Sequence, residues 1–308
     1  MDTPLRIGTR GSPLALAQTR LVAEALRVAH GWTAERIEIV PITTTGDVIQ
    51  DRPLAEVGGK ALWTKELDRS LLDGRTDISV HSMKDVETIR TPELTIAAIL
   101  PRADVRDRLI GAASIADLPQ GARIGTSSPR RGAQMLRRRP DLSIMSLRGN
   151  VATRLAKLDR GDVDATLLAA AGLERLGRSE IGSPIPVDEL LPAPSQGAIG
   201  VEIRSNDAKV RRLVEAIDDR ASHHCVMAER RLLKALGGDC RSPIAALARH
   251  EEGESGRIRL RAQILTNDGR EAEEGEISFA ADDPEAPESL GAQLLERAAP
   301  ALRALFAG

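Results

Sequence analysis

Apolar residues in the first hundred positions alternate between strand-like runs and helix-like spacing. The run Leu5–Thr9 predicts a strand, and Ser12 followed by Pro13 is typical of a helix start, because serine caps free N–H groups and proline fits the first helical turn. Apolar residues then recur at helical spacing as far as Val28. The alternation continues with predicted strands at Glu35–Thr43, Asp77–His81 and Leu94–Leu100 and a predicted helix from Thr64 to about Gly74.

The same alternation repeats in the middle of the chain. Ser128 with Pro129 predicts the start of one helix, through Arg139, and Asn150 predicts the start of another, to about Arg160. Strands are predicted around these helices at Ala122–Gly125, Leu142–Leu147 and Val163–Ala169. Because alternating strands and helices form α/β units, the two series predict two similar α/β domains with mostly parallel sheets and a cleft between them.

The pattern changes again toward the C-terminus. Ile181–Gln196 is rich in Pro, Ser and Gly, which indicates a linker, and Ala198–Ile203 predicts a strand that could return to the first sheet. A smaller α+β domain is predicted from a helix over Ala221–Gly237, strands at Ile244–Arg249, Arg257–Leu265 and Glu274–Ala280, and one final helix over Pro287–Phe306. We therefore predict domains at 1–100 with 197–218, at 101–196 including the linker, and at 219–308.

Composition narrows the classes of ligand. Aromatic residues make up 1% of the chain and Tyr is absent, which excludes the stacking surfaces that single-stranded nucleic acid needs. The net charge of −2 gives no reason to expect nucleic acid or a membrane surface as a partner. Between Arg102 and Arg154, however, eleven Arg stand against four Asp. A basic middle in a nearly neutral chain favours a small polyanionic ligand.

Two features predict a cytoplasmic protein. The two cysteines, Cys225 and Cys240, are too few for a disulfide framework, which fits a reducing compartment. The N-terminal residues lack the basic and apolar regions of a signal peptide, and no apolar run of the length of a membrane span occurs. Nothing in the sequence demands more than a monomer.

Four segments join a predicted strand to a predicted helix, which is the usual ligand position in open α/β sheets. All of them carry Arg or Lys, and they are Gly8–Pro13, His81–Val86, Gly125–Arg131 and Ser146–Arg154. Helix N-termini present free N–H groups and a partial positive charge, and guanidinium groups match carboxylates. These segments therefore predict a cleft for a ligand with several carboxylates or phosphates.

The arginines of the middle segment divide into two groups. Arg137, Arg138 and Arg139 lie late in a predicted helix, where cations suit the helix dipole, so we interpret them as surface residues. Near helix starts the dipole favours acids, and the arginines found there therefore favour ligand binding. They are Arg130, Arg131, Arg148 and Arg154.

Other candidate chemistry is weaker by itself. Asp85 beside Lys84 offers a carboxylate that could stabilise a cation and move protons, although most such pairs lie on surfaces. His223 and His224 adjoin Cys225, but without a CxxC motif or a third clear ligand we predict no metal site.

Cys240 is the stronger candidate for a reactive thiol. It follows Gly237 and Gly238 after a predicted helix, and neighbouring Arg241 favours the thiolate. Cys225 falls within a helical apolar pattern and is interpreted as a core residue. From these residues alone, an inert buried thiol stays an equal alternative for Cys240.

Taken in order, these segments resemble the porphobilinogen deaminases, also called hydroxymethylbilane synthases. The matching stretches cover nearly the whole chain and include GTRGSPLALAQ, LAEVGGKALWTKELD, DISVHSMKDV, GTSSPRR, SLRGNVATRLAKL and QGAIGVE. The resemblance implies two similar periplasmic-binding-protein-like α/β domains around a hinged cleft and a smaller C-terminal α+β domain. It also implies a transferase that condenses four porphobilinogen units on a dipyrromethane cofactor, releasing ammonia and the hydroxymethylbilane used in haem and other tetrapyrrole synthesis.

The resemblance further implies roles residue by residue. Cys240 matches the cysteine that holds the cofactor through a thioether, and Asp85 matches the catalytic carboxylate that stabilises an azafulvenium cation and handles protons. Positions that match cofactor contacts are Lys84, Thr126, Ser127, Ser128, Arg130, Arg131 and Arg148. Positions that match substrate contacts are Arg10, Ser12, Arg148, Arg154 and Arg175, and Lys60 matches a mobile lid. Glu87 departs from the pattern, since relatives often have Pro there.

Two other classes of protein share some of these features. A non-catalytic anion-binding protein, such as a solute receptor or a sensor, would have the same two-domain cleft, but it accounts for neither the missing signal peptide nor a third domain carrying Cys240. A different transferase with a cysteine nucleophile is the second alternative, although no His or Asn partner motif is apparent.

Overall fold

The computed structural model describes residues 3–44, 64–239, 241–251, 253 and 256–306. These residues form two compact units. One unit contains the described residues up to Ala103 together with Gly197–His223, and the other contains Asp104–Gln196 together with the described residues after His223. The chain therefore passes from one unit to the other at three points.

The described strands, in chain order, are β1 (Leu5–Arg10), β2 (Ile37–Ile42), β3 (Ile78–Ser82), β4 (Leu94–Ile99), β5 (Asp107–Ile110), β6 (Arg123–Gly125), β7 (Ser143–Met145), β8 (Ala165–Ala169), β9 (Ser183–Pro184), β10 (Ile199–Arg204), β11 (Ile244–His250), β12 (Arg257–Leu265) and β13 (Ala272–Ala280). The described α-helices are α1 (Pro13–His30), α2 (Lys65–Leu72), α3 (Pro129–Arg138), α4 (Val151–Asp159), α5 (Ala170–Arg175), α6 (Ala208–Val214), α7 (Arg220–Ala235), α8 (Ala286–Arg297) and α9 (Pro300–Ala304). Short 3-10 turns lie at Ala34–Arg36, Met83–Asp85 and Glu215–Ile217. The strands and helices that the sequence predicts are confirmed to within a few residues, apart from the last helix.

The first unit contains a five-stranded sheet in the order β2-β1-β3-β10-β4. β1 pairs in parallel with β2 and β3, whereas β10 runs antiparallel to β3 and β4. The prediction that a strand near Ala198–Ile203 returns to this sheet is confirmed. β10 is buried along Ile199–Ile203, and its apolar side chains pack with those of α1 and α6.

The second unit contains a sheet with the equivalent order, β7-β6-β8-β5-β9. β6 is parallel to β7 and β8, and the strand in the fourth position, β5, runs against its neighbours as β10 does in the first sheet. The predicted pair of similar α/β domains is therefore confirmed. The sequence analysis did not predict β5 or β9.

The second unit also contains the antiparallel sheet β11-β12-β13. Its apolar face packs against α7, α8 and α9 in a cluster that includes Leu232, Leu290 and Leu294. The predicted single helix over Pro287–Phe306 is wrong, because α8 ends at Arg297 and α9 begins at Pro300. Proline has no N–H to donate and clashes with the preceding turn, so a continuous helix cannot pass through that position.

The predicted division into 1–100 with 197–218, 101–196 and 219–308 stays a prediction. The two sheets of the second unit have separate apolar clusters, one around Leu109 and Ile124 and the other around Leu232 and Leu260. Among the described residues, no helix combines the length and apolar character that crossing a membrane requires.

Candidate active site

In the first unit, the segment that carries Lys84 and Asp85 follows the end of β3 as a 3-10 turn. Met83 is fully buried, and its N–H donates to the carbonyl oxygen of Ala198 at 3.1 Å. A Cβ at Gly200 on the neighbouring strand would collide with the Met83 sulfur, so a larger residue there would force the Met83 side chain to move. With Met83 held in the core, Lys84 and Asp85 are left half-buried.

Arg10 is the last residue of β1 and Ser12 follows it, and β1 lies next to β3 in the same sheet. The Ser12 hydroxyl oxygen accepts from the N–H of Ala15 at 3.3 Å and caps α1, as predicted. Because β1 and β3 are parallel, their carboxyl ends lie at one edge of the sheet. The first unit therefore places Arg10, Ser12, Lys84 and Asp85 at a single sheet edge.

In the second unit, residues from three parallel strands lie at the corresponding edge. Thr126, Ser127 and Ser128 follow β6, where the Ser128 hydroxyl accepts from the Arg131 N–H and caps α3. The Thr126 hydroxyl accepts from the N–H of Ser128 at 3.1 Å, and the Ser127 hydroxyl donates to the carbonyl oxygen of Leu147 at 3.0 Å. The hydroxyl groups of Thr126 and Ser128 are thus fixed within the local turn, and that of Ser127 is held by the segment that follows β7.

Arg148 and Arg154 follow β7, and Arg175 follows β8 on α5. Asn150 caps α4 by accepting from the N–H of Thr153 at 2.9 Å, and Arg154 Nε donates to the carbonyl oxygen of Gly149 at 2.9 Å. Burial lowers the pKa of Arg175 to about 10, because the surroundings disfavour its charged form. Because β7 and β8 are parallel to β6, all three arginines follow strand ends at the sheet edge where β6 ends.

Arg130 and Arg131, in the first turn of α3, are the most deeply buried of the described charged candidates, with 3% and 6% of their surface exposed. Arg130 Nη2 donates to Asp107 Oδ2 at 2.7 Å, and Arg131 Nη2 donates to Asp107 Oδ1 at 2.6 Å. Gln196 Nε2 also donates to Asp107 Oδ1, at 2.9 Å. The Asp107 carboxylate thus accepts hydrogen bonds from both guanidinium groups and from the side-chain amide of Gln196, the last residue of the predicted linker.

The charges of this cluster do not cancel. Burial raises the pKa of Asp107, but the two guanidinium groups outweigh it and hold that pKa well below its usual range. Burial lowers the pKa of Arg130, and the like charge of Arg131 adds to this effect. Two cations therefore share one anion, which leaves one positive charge away from water.

Asp107 is the residue that the sequence analysis missed. It lies in β5, a short strand with two charged residues that has no clear apolar pattern. The available signal was the pair of adjacent arginines at a helix start, because buried cations need a counter-charge from some other part of the chain.

Other predictions have mixed outcomes. Cys225 is buried in the core of the three-stranded sheet, as predicted. Arg137 and Arg138 are exposed, and Arg139 pairs with Asp141, so their interpretation as surface residues is confirmed. Lys60 and Cys240 lie outside the described residues.

Comparison with known proteins identifies the family. The model described as "Porphobilinogen deaminase, dipyromethane cofactor binding domain" matches residues 5–212, and the model described as "Porphobilinogen deaminase, C-terminal domain" matches residues 223–299. The chain belongs to the porphobilinogen deaminase family. The resemblance found from the sequence motifs is thereby confirmed.

Individual relatives agree with this. A porphobilinogen deaminase of Sphingopyxis alaskensis is 56% identical over 99% of this chain and 98% of its own length. One of Paracoccus denitrificans is 51% identical over 88% of this chain and 86% of its own length. A solved periplasmic sulfonate-binding protein of Methylobacillus flagellatus has a TM-score of 0.39 and 18% identity over 76% of this chain and 68% of its own, a likeness too loose to bear on ligand or mechanism.

The second unit fits the cofactor named in the porphobilinogen deaminase family model. Arg130 Nε and Arg131 Nε are buried and have no hydrogen-bond partner among the described residues. Together with the excess positive charge around Asp107, these two donors suit an anionic group that enters from the sheet edge. A dipyrromethane carries carboxylate side chains, so the chemistry of the two arginines and of the group agrees.

Proposed function

We propose that this chain condenses four porphobilinogen units head to tail and releases ammonia at each addition and hydroxymethylbilane at the end. The observation that carries the proposal is the buried arginine pair on Asp107, which retains one positive charge and two unused donors in a member of the porphobilinogen deaminase family. It is a built site for carboxylates, and each pyrrole unit brings two of them.

The arginines, the lysine and the hydroxyl groups at the two sheet edges bind and orient carboxylates. Arg130 and Arg131 are held rigidly by Asp107, so little side-chain entropy is lost when a carboxylate binds. We assign cofactor binding to Lys84, Thr126, Ser127, Ser128, Arg130, Arg131 and Arg148, and substrate binding to Arg10, Ser12, Arg148, Arg154 and Arg175.

Asp85 is the proposed catalytic residue. Its carboxylate stabilises the cation that remains on the substrate when ammonia leaves, and it takes the proton that is lost after the new carbon–carbon bond forms. The buried Met83 fixes the turn beneath it, which keeps the carboxylate at one place while the product grows. A preorganised negative charge requires little rearrangement at the moment of reaction.

Cys240 is the proposed attachment point of the dipyrromethane. When bound, that group supplies the primer to which pyrrole units are added. We further propose that the protein acts in the cytoplasm as a monomer, that its partner is porphobilinogen rather than nucleic acid or a membrane, and that Lys60 belongs to a lid. These proposals follow from the sequence motifs.

Two substitutions test the function. Asp85→Asn is expected to lower kcat by about 100-fold or more, in line with the loss of one acid–base group, and to leave the covalent chromogen in place. Bilane formation from porphobilinogen is measured beside Asp73→Asn, an exposed acid of the same unit, which should retain full activity. Near-normal turnover of Asp85→Asn would remove that residue from its role.

Intact mass then tests the attachment point. Cys240→Ser should purify without the added mass of two linked pyrroles, whereas Cys225→Ser should retain it, since Cys225 lies in the core. An unmodified wild-type chain that binds porphobilinogen without turnover would instead support an anion receptor.

A further inference from the structure

A buried chain of charged side chains encloses the segment that carries Asp85. On its N-terminal side, His81 Nε2 lies 2.9 Å from Glu202 Oε2. Glu202 is fully buried on β10. Burial raises its pKa, but the hydrogen bonds and charges of His81 and Arg90 outweigh this and lower the pKa to about 2. Glu202 is therefore a carboxylate, and the His81 ring N–H donates to it.

Arg90 continues the chain on the other side of Asp85. Its Nε donates to Glu202 Oε1 at 2.8 Å, and its Nη1 donates to Glu87 Oε2 at 2.7 Å. Its Nη2 also donates to Asp68 Oδ1 on α2 at 2.5 Å. The Arg90 side chain is 11% exposed, so these contacts are made largely away from water.

The ends of the segment are therefore tied to each other. His81, Glu202, Arg90 and Glu87 form a closed bracket around residues 82–86, and the bracket spans two strands and the turn. Within it, Met83 and Val86 are buried in the core. A short segment fixed at both ends and in the middle has few conformations to lose when a ligand binds.

We infer that Glu87 and Arg90 are positioning residues that hold Asp85 in place for catalysis, acting through Glu202 and His81. The inference rests on the proposed function of Asp85, and neither residue is assigned to contact substrate or cofactor. Glu87 is the better of the two residues to substitute. Its side chain is 21% exposed, and its loss leaves Arg90 with Glu202 and Asp68 as ion-pair partners. Arg90, by contrast, is the charge that neutralises the buried Glu202.

The deciding variant is Glu87→Ala, with Glu93→Ala as the matched control. Glu93 is an exposed acid on the same connection. Its carboxylate accepts from the Thr91 hydroxyl, and among the described residues no hydrogen bond or ion pair joins it to Arg90. We expect Glu87→Ala to lower kcat about 3- to 10-fold with KM within about 2-fold of wild type, because a small displacement of a catalytic group affects chemistry more than binding. Glu93→Ala should match wild type in both constants.

A second variant and a second measurement keep the two proposals separable. Arg90→Lys retains the charge but cannot reach three carboxylates at once, and kcat should fall about 10-fold or more. Amide hydrogen exchange over residues 82–86 should be faster in Glu87→Ala than in Glu93→Ala, and this readout needs no activity.

Unchanged kcat per folded molecule in Glu87→Ala, with only a lower Tm, would make the bracket merely structural and overturn the inference. An equal fall in Glu93→Ala would overturn it as well. If the wild-type chain makes no bilane at all, the proposed function is wrong, and the inferred catalytic role of the bracket is wrong with it. If the wild-type chain makes bilane, any change in kcat of Glu87→Ala can be attributed to the bracket.

Discussion

Replacing Asp107 by Asn removes the charge on which two buried guanidinium groups depend. Asp107 is fully buried, and its two carboxylate oxygens accept from Arg130, Arg131 and Gln196 at 2.6 to 2.9 Å. Asn has nearly the same volume, so the change leaves no cavity. It does leave two cations without a counter-charge, and its amide nitrogen turns an N–H donor toward an arginine or toward Gln196.

The expected loss of unfolding free energy in Asp107→Asn follows from the complete burial of this ion pair. Removing one partner of a buried ion pair costs about 3–5 kcal/mol of unfolding free energy, because the remaining charge is left without compensation. At about 2–4 °C per kcal/mol for a unit of this size, the Tm should fall by roughly 6–20 °C. Since the arginines lose their fixed geometry, the covalent chromogen content of the purified protein should fall too.

The control is Asp104→Asn, three residues earlier. Asp104 pairs with Arg106 at 2.7 Å, but both side chains are partly exposed, and exposed pairs contribute about 0–1 kcal/mol. Thermal unfolding and intact mass are measured on both variants and on wild type. If Asp107→Asn shifts the Tm no more than Asp104→Asn does, then the buried charge is not held by this carboxylate and the reasoning fails.

Two further predictions concern other charged groups. The pKa of Glu202 is lowered to about 2 from its ordinary value of 4.5, so the contribution of this carboxylate to stability is complete above about pH 4.5 and is lost as the pH falls toward 2. Chemical denaturation of wild type across that range should show the loss, and an unchanged midpoint would contradict it. Arg175 follows β8 at the sheet edge and is a proposed substrate contact, so Arg175→Met should raise KM for porphobilinogen about 10-fold, the effect of one lost charge-assisted hydrogen bond. An unchanged KM would contradict that role.

Much of the fold follows from signals that act over a few residues. Ser12, Ser128 and Asn150 start helices because each side chain accepts from an N–H three residues later, and all three helices were predicted. The mostly apolar run of β4 predicted a buried strand, since a strand covered on both faces needs apolar side chains at successive positions.

Charge pairing was decided only by the tertiary structure. Asp107 meets Arg130 and Arg131 more than 20 residues along the chain, and Arg90 meets Glu202 across 112 residues. Partners this far apart along the chain leave no periodic pattern in the sequence from which the pair could be predicted. β5 was missed because its residues, DRLI, serve the ion pair as much as the core.

The sequence by itself thus determined most of the helices and strands, the family and the candidate residues, because caps, apolar spacing and ordered motifs are local properties of the chain. Only the tertiary structure decided which carboxylate neutralises which arginine, and that a charged bracket surrounds the segment of Asp85. The physical reason is that a buried charge is stable only beside a partner, and sheet topology brings that partner from a distant part of the chain.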